Sequence, residues 1–327
     1  MVRTFAALAF SILSSVAAFP AQTAVADAAR TVRPHVSLML GIARTGDRLV
    51  VVGERGRILL SDDSGKSWRA VASQTDATLN AIRFVNAKTA LVVGWDATIL
   101  RTDDAGESWV KENSDTSSDN GLFAVSALPD GGALAVGAYG LAFLSADGRS
   151  WKIEHNDTLD PDAHMNSLFA AEPGHLVIAG EAGSVYVSED AGKAWTHLDF
   201  PYEGSLFGGM ALDARDWLVY GLRGHVFRSQ DGGEHWAQIE TGTTQGLLGG
   251  TRLKDGRVVL VGNGGIALVS DAAVTSFAPI PHPETQTLSD VAEAPDGSLV
   301  AVGDVGVSTD ESGIEHFAVT AKLAAKQ

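Results

Sequence analysis

Leu168-Phe169-Ala170-Ala171-Glu172-Pro173-Gly174-His175-Leu176-Val177-Ile178-Ala179-Gly180-Glu181-Ala182-Gly183-Ser184-Val185-Tyr186-Val187-Ser188-Glu189-Asp190-Ala191-Gly192-Lys193-Ala194-Trp195-Thr196-His197-Leu198 reads as four short strands in a row. Apolar and β-branched runs alternate with Pro-Gly, Gly-x-x-Gly and Asp-x-Gly turns, which is the strand-and-turn pattern. The unit recurs along the chain. Leu38, Leu79, Leu122, Met165, Leu206, Leu247 and Leu288 open seven copies. Gly53, Gly94, Gly137, Gly180, Gly221, Gly262 and Gly303 follow, each fifteen residues later. Trp68, Trp109, Trp151, Trp195, Trp236, Phe277 and Phe317 close them. A period of roughly 40 residues built from short strands marks a radial β array with one blade per repeat. The expected fold is all-β, a seven-bladed propeller over residues 35–327 with four-stranded antiparallel blades. His316 to Thr320 reads as the fourth strand of blade seven. Residues 27–34 form an N-terminal segment that could close the ring.

The flanking sequence and composition set further expectations. Residues 1–26 read as a secretory signal. Arg3 supplies the basic start, Phe5 to Ala18 an apolar run too short to span a bilayer, and Ala24-Val25-Ala26 a small-x-small cleavage site. Cleavage is expected after Ala26, with the mature chain in the periplasm or secreted. No later segment reads as a membrane span. The chain has no cysteine, so export brings no disulfide and packing around the ring must supply the stability. The formal net charge of -16 argues against nucleic acid, because phosphate binding needs a basic stripe.

Two turn motifs repeat. Gly-x-x-Gly appears as Gly53/Gly56, Gly137/Gly140, Gly180/Gly183, Gly221/Gly224, Gly262/Gly265 and Gly303/Gly306, with Ala97 replacing the second glycine in blade two. These read as tight turns at positive φ rather than phosphate cradles, since no helix pattern follows them. The second motif is Ser-x-Asp-x-Gly-x-x-Trp. It places Asp63 before Trp68, Asp190 before Trp195 and Asp231 before Trp236, with Asp104 and Trp109 in a threonine version. Blade three has a shortened copy, Asp147 and Trp151; blade seven keeps Ser308, Asp310 and Gly313, while blade six reads as having lost the turn chemistry. The carboxylate can accept backbone N–H bonds within its turn. The tryptophan is a large apolar cap, expected buried at equivalent sites. Each turn supplies too few oxygens for calcium, and no metal site or cofactor is expected.

This second element is the Asp-box, or BNR, repeat. Its pairing with Val-Gly-x-x-Gly-x-Ile/Val resembles the photosystem II stability and assembly factor-like propeller family over about residues 35–320. The resemblance implies a non-catalytic, protein-binding assembly or accessory factor, in photosynthetic organisms a lumenal chaperone for newly made reaction-centre protein. In the exported bacterial branch it implies a membrane or envelope protein complex as partner, with the propeller itself a monomer.

Blade topology puts the Gly-x-x-Gly turns and the blade-to-blade crossovers on one face, called top here, and the aspartate turns on the bottom rim. Loops on a rigid scaffold carry function. The residues chosen as a binding surface are therefore Arg55, Trp95, Asp96, Tyr139 and Arg223, all inside the glycine turns. Two further segments could rim that face, the polar crossover from Lys152 to His164 and the stiff Pro279-Ile280-Pro281-His282-Pro283 run. Sialidase-like or glycan-binding Asp-box propellers are the alternative. Those need an arginine cluster, a Tyr/Glu nucleophile pair and an acidic proton donor. Here the Arg-Ile/Leu-Pro motif is reduced to Val32-Arg33-Pro34, and Tyr186 and Tyr220 fall inside strands. No catalytic residue is assigned.

Overall fold

The computed structural model describes residues 37–115, 120–281 and 285–304, and the backbone of a strand at Ile314–Phe317. Each repeat forms one antiparallel sheet whose strands lie side by side in chain order. The innermost strands are Met39–Thr45, Leu79–Phe84, Leu122–Ala127, Ser167–Glu172, Leu206–Ala211, Leu247–Arg252 and Leu288–Glu293. They neighbour one another in sequence, and the first also lies against the last, so the ring closes. Second strands such as Val258–Gly262 are buried along their whole length, because neighbouring blades cover both faces. This explains why they read as unbroken apolar runs rather than alternating ones. Third strands are also largely buried, and the fourth, as in Arg69–Val71, are mostly exposed.

The core is a set of wedges between blades. One wedge joins Met39, Ile42 and Leu49 of blade one to Ala292, Val300 and Val302 of blade seven, which seals the ring by apolar contact. Polar bonds fix the blade order near the axis. The Asn80 amide donates to the Leu122 carbonyl at 2.9 Å, and the Asn166 amide to that of Leu206 at 2.9 Å. At the closure the Ile42 N–H donates to Asp290 Oδ2 at 3.1 Å.

Three expectations need correction. Six blades are four-stranded; the seventh repeat gives a three-stranded sheet among the described residues, in place of a seventh four-stranded blade. Its last strand, Ile314–Phe317, pairs directly with Leu299–Val302. It therefore takes the third position, not the fourth expected for residues 316–320. An outer strand can pair only with an exposed edge, and the edge this run meets is that of the second strand. Residues 27–34, Ser308, Asp310 and Gly313 lie outside the described residues, as does the segment 1–26. Third, the opening residue of blade one is Met39, not Leu38. Met39 pairs with Gly53 as Leu79 pairs with Gly94, both followed by the same bulge, and the loop joining the first two strands is one residue shorter in blade one. Met39 is fully buried, whereas Leu38 is only half-buried.

The described helical segments are three-residue 3-10 turns, and no described helix is long and apolar enough to cross a membrane.

Candidate functional site at the axial channel

The glycine turns build the top face. In Glu54-Arg55-Gly56-Arg57 the Arg57 N–H closes on the Glu54 carbonyl at 3.1 Å, with Arg55 and Gly56 both at positive φ. That is a two-residue hairpin turn whose twist matches the strands it joins. The second glycine is needed because its N–H must reach the crossover: a Cβ on Gly56 would sit 1.8 Å from the Thr75 carbonyl oxygen. The glycines are structural, as expected.

The middle residue of each turn pays no such contact and projects outward. Arg55, Asp96, Tyr139 and Arg223 adopt φ of 54°, 56°, 53° and 59°. Left-handed backbone costs a non-glycine residue about 1 kcal/mol. Of the five proposed residues, the structure brings Trp95 and Tyr139 onto one strip. The Trp95 ring meets Phe123 edge-on at 6.1 Å, Phe123 meets His164 at 5.7 Å, and His164 meets Tyr139 at 4.6 Å. His164 Nδ1 also accepts the Tyr139 N–H at 3.2 Å, which fixes the imidazole against the turn. Trp95 remains 43% exposed and Tyr139 60%, so the strip is a surface and not a core. Asp96 sits half-buried beside Trp95. Arg55 and Arg223 are exposed on the turns of blades one and five and join no part of the strip. The long crossover is tied down rather than free. Leu159 and Ala163 are buried in the wedge below, and the Asp160 N–H reaches the Tyr186 hydroxyl at 3.3 Å.

Phe123 and His164 escaped the sequence reading. Phe123 has a signal nonetheless. It holds the inner-strand position filled elsewhere by Leu40, Asn80, Asn166, Phe207, Leu248 and Ser289, and these side chains line an axial channel of about 210 Å3.

Deeper in that channel lie Arg83, Tyr220 and Asp290. Asp290 stands where the other blades carry Gly or Ala or Ser, and protein surrounds it although its surface touches the channel. Burial pushes its carboxyl up to about 7, against the opposing N–H bonds of Ile42 and Val291 and the attraction of Arg83. Burial also raises the Tyr220 hydroxyl far above its ordinary value.

The aspartate turns on the bottom rim do structural work. The Gly65 N–H donates to Ser61 Oγ at 2.8 Å, and the Ser67 N–H to Asp63 Oδ1 at 2.9 Å. The Trp68 indole donates to the Gly65 carbonyl at 2.8 Å. The Ser67 hydroxyl and N–H hold the Asp63 carboxyl down at about 2. Asp104, Asp190 and Asp231 repeat the pattern. Asp147 in the shortened copy accepts from Arg149 and Ser150 instead. Blade six was expected to lack this chemistry. It keeps it, with Asp271 moved one residue closer to its serine and accepting the Thr275 N–H at 2.8 Å. The tryptophans are less uniform than expected: Trp109 and Trp195 are buried, but Trp68, Trp151 and Trp236 are half-buried. A ring that large, capped only by a short outer strand, leaves an edge in solvent. Asp231, Glu234 and His235 place potential ligand atoms within 4.8 Å of one another. Both Asp231 oxygens are already committed to the turn, Oδ2 to His235 Nδ1 at 2.7 Å.

Comparison with known proteins agrees with this architecture. The family described as photosynthesis system II assembly factor YCF48 matches residues 60–206, a span holding four of the aspartate turns. Among solved structures, YCF48 from Cyanidioschyzon merolae is similar with a TM-score of 0.68 at 17% identity, covering 86% of this chain and 95% of that one. A second, described as YCF48 bound to D1 peptide, gives 0.64 at 18%, covering 83% and 90%. A streptogramin B lyase gives 0.68 at 11%, covering 83% and 92%, so the fold alone is shared across very different proteins. No curated protein matches by sequence. Over residues 60–206 the chain is similar to the photosystem II assembly factor family, and the propeller built on that turn chemistry shares its fold with the solved YCF48 structures.

Proposed function

We propose that this chain is an exported, non-catalytic propeller that binds a protein segment and serves the assembly or activity of a membrane complex. The observation that carries the reading is the exposed strip of Trp95, Phe123, His164 and Tyr139 at the top mouth of the channel. Aromatic side chains give large contact area at low entropic cost, and aromatics with arginine dominate interface energetics. Arg55 and Arg223, exposed on the glycine turns of blades one and five, are the cations of the same face, and Asp96, beside Trp95, its acid. The similar propeller bound to D1 peptide supports a peptide as the kind of ligand. Residues 1–26 support export with cleavage after Ala26, to the periplasm or beyond, and the partner is a membrane or envelope protein met by a monomeric propeller.

A sialidase-like reading needs three arginines around one carboxylate on the top face, whereas the glycine turns there carry two, Arg55 and Arg223. A photo-cross-linker placed at Tyr139 should capture a membrane protein from envelope fractions. The double variant Trp95→Ala with Arg223→Ala should lose that partner with its fold intact by circular dichroism. Retained capture in the double variant would move the site elsewhere, and turnover of a sialoside would overturn the class.

A further inference from the structure

The other end of the channel has opposite chemistry. A cavity of about 510 Å3 opens there, where the inner strands of blades one, two, six and seven run toward the bottom face. Arg44, Arg83, Arg252 and Lys254 line it, against the carboxylates of Asp290 and Glu293. This is a basic pocket in a chain whose formal net charge is -16.

The cations are not consumed by structure. Arg252 spends one Nη1 bond on the Leu212 carbonyl, at 2.6 Å, and the Lys254 ammonium one long bond on the Pro295 carbonyl, at 3.4 Å, while Glu293 is occupied by the Lys254 N–H at 2.8 Å. The guanidinium groups of Arg44 and Arg83 make no hydrogen bond or ion pair to any described residue. Arg83 is the sharper case: its side chain is exposed to the cavity, and the protein walls around it oppose its charge. Its nearest counter-charge, Asp290, is turned to the Ile42 and Val291 N–H groups. A guanidinium so placed lacks an anion, and a cleft with low-dielectric walls concentrates the field that would attract one. The room exists because Gly250 and Thr251 stand where blade two has Ile82 and Arg83.

We propose that this mouth binds a small multivalent oxyanion, a molecule carrying carboxylate or phosphate groups, gripped by the Arg83 and Arg44 forks with Arg252 and Lys254 completing the charge. Planar guanidinium forks suit both groups, because each presents two oxygens at matching spacing. The volume suits a small molecule rather than a chain segment. The site lies across the channel from the aromatic strip, so neither reading depends on the other.

Titration calorimetry on the mature chain at low salt, with citrate and with inorganic phosphate as probes, tests it. At least one probe should bind, citrate alone indicating a polycarboxylate and phosphate alone a phosphate ester. Arg83→Gln and Arg44→Gln should each weaken binding about tenfold, the loss of one charge-assisted pair, and together abolish it. Because Arg44 ends a strand at the pocket edge, its variant gives the readout even if Arg83→Gln folds poorly. Arg223→Gln, on the top face, should leave the affinity unchanged. Three results would each overturn the proposal: no heat with either probe at millimolar concentration, undiminished binding in a folded double variant, or equal weakening by Arg223→Gln.

Discussion

The tryptophans of the bottom rim and the aromatics of the top rim are one residue class put to opposite uses. Trp109 is buried and its indole N–H is tied to the Gly106 carbonyl at 3.1 Å. Trp95 and Tyr139 meet only ring edges and keep half their surface in water. The turn backbone makes the difference. An aspartate turn caps its own N–H groups through the carboxylate, folds back, and lays the tryptophan over the wedge between two sheets. A glycine turn reverses the chain in two residues and points its side chains away from the blade. Burial is thus set by the turn type before the side chain is considered.

The largest expected effect follows from that contrast. Trp109→Ala should destabilise the protein by about 3–5 kcal/mol, the usual range for removing a core aromatic. Trp95→Ala should change stability by no more than about 0.5 kcal/mol, as surface substitutions do. Urea unfolding of the two variants measures both. A Trp95→Ala loss as large as that of Trp109→Ala would make the top strip a core element and erase the comparison.

The same two regions differ in how their carboxylates respond to acid. Asp63 on the bottom rim is held down at about 2 by the Ser67 hydroxyl and N–H. An unfolded aspartate titrates near about 3.9, so its contribution is present above that pH and is lost as pH falls toward 2. Asp290 in the channel wall is pushed up to about 7 by burial. Its sign is opposite: the folded state keeps the proton where the unfolded state has released it, so stability falls as pH rises from about 4 to about 7. Asp290→Asn should flatten the pH dependence of the urea midpoint across that window. Asp63→Asn should flatten it only below about 4. If Asp290→Asn leaves the slope between pH 4 and 7 unchanged, channel water solvates the carboxylate and burial does not control it.

What the sequence shows and hides follows from how local each feature is. The blades, the glycine turns and the aspartate turns were legible because each is closed by bonds within a few residues, such as Gly65 to Ser61 or Arg57 to Glu54. The exposure of Trp95 and Tyr139 was legible for the same reason, since it follows from the turn. The strip they form was not. It needs Phe123 and His164, which meet only because three blades converge on the axis. Arg83 and Asp290 were hidden more deeply, being single departures at inner-strand positions that carry other residue types in the remaining blades. The shift from Leu38 to Met39 reflects a hairpin loop one residue shorter in blade one, which the apolar pattern does not mark. Blade six misled because its aspartate moved by one position while its bonding survived.

The smallest effect concerns the shortened aspartate turn of blade three. In blade three the turn is a residue shorter between Asp147 and its glycine, and the Gly148 carbonyl faces an Arg101 guanidinium N–H at 3.4 Å. The Trp151 indole N–H is buried there without a partner, whereas that of Trp195 donates to the Gly192 carbonyl at 3.1 Å. Replacement by phenylalanine removes a ring and an N–H in both blades. In blade four it also leaves the Gly192 carbonyl without its donor; in blade three it removes a group that was already unsatisfied. Trp195→Phe should therefore cost about 1 kcal/mol more than Trp151→Phe, the net worth of one hydrogen bond. Paired urea titrations of the two variants resolve a difference of that size. Equal losses would mean that the indole bond adds nothing to these turns, and that the buried and exposed aromatics of this propeller differ by packing alone.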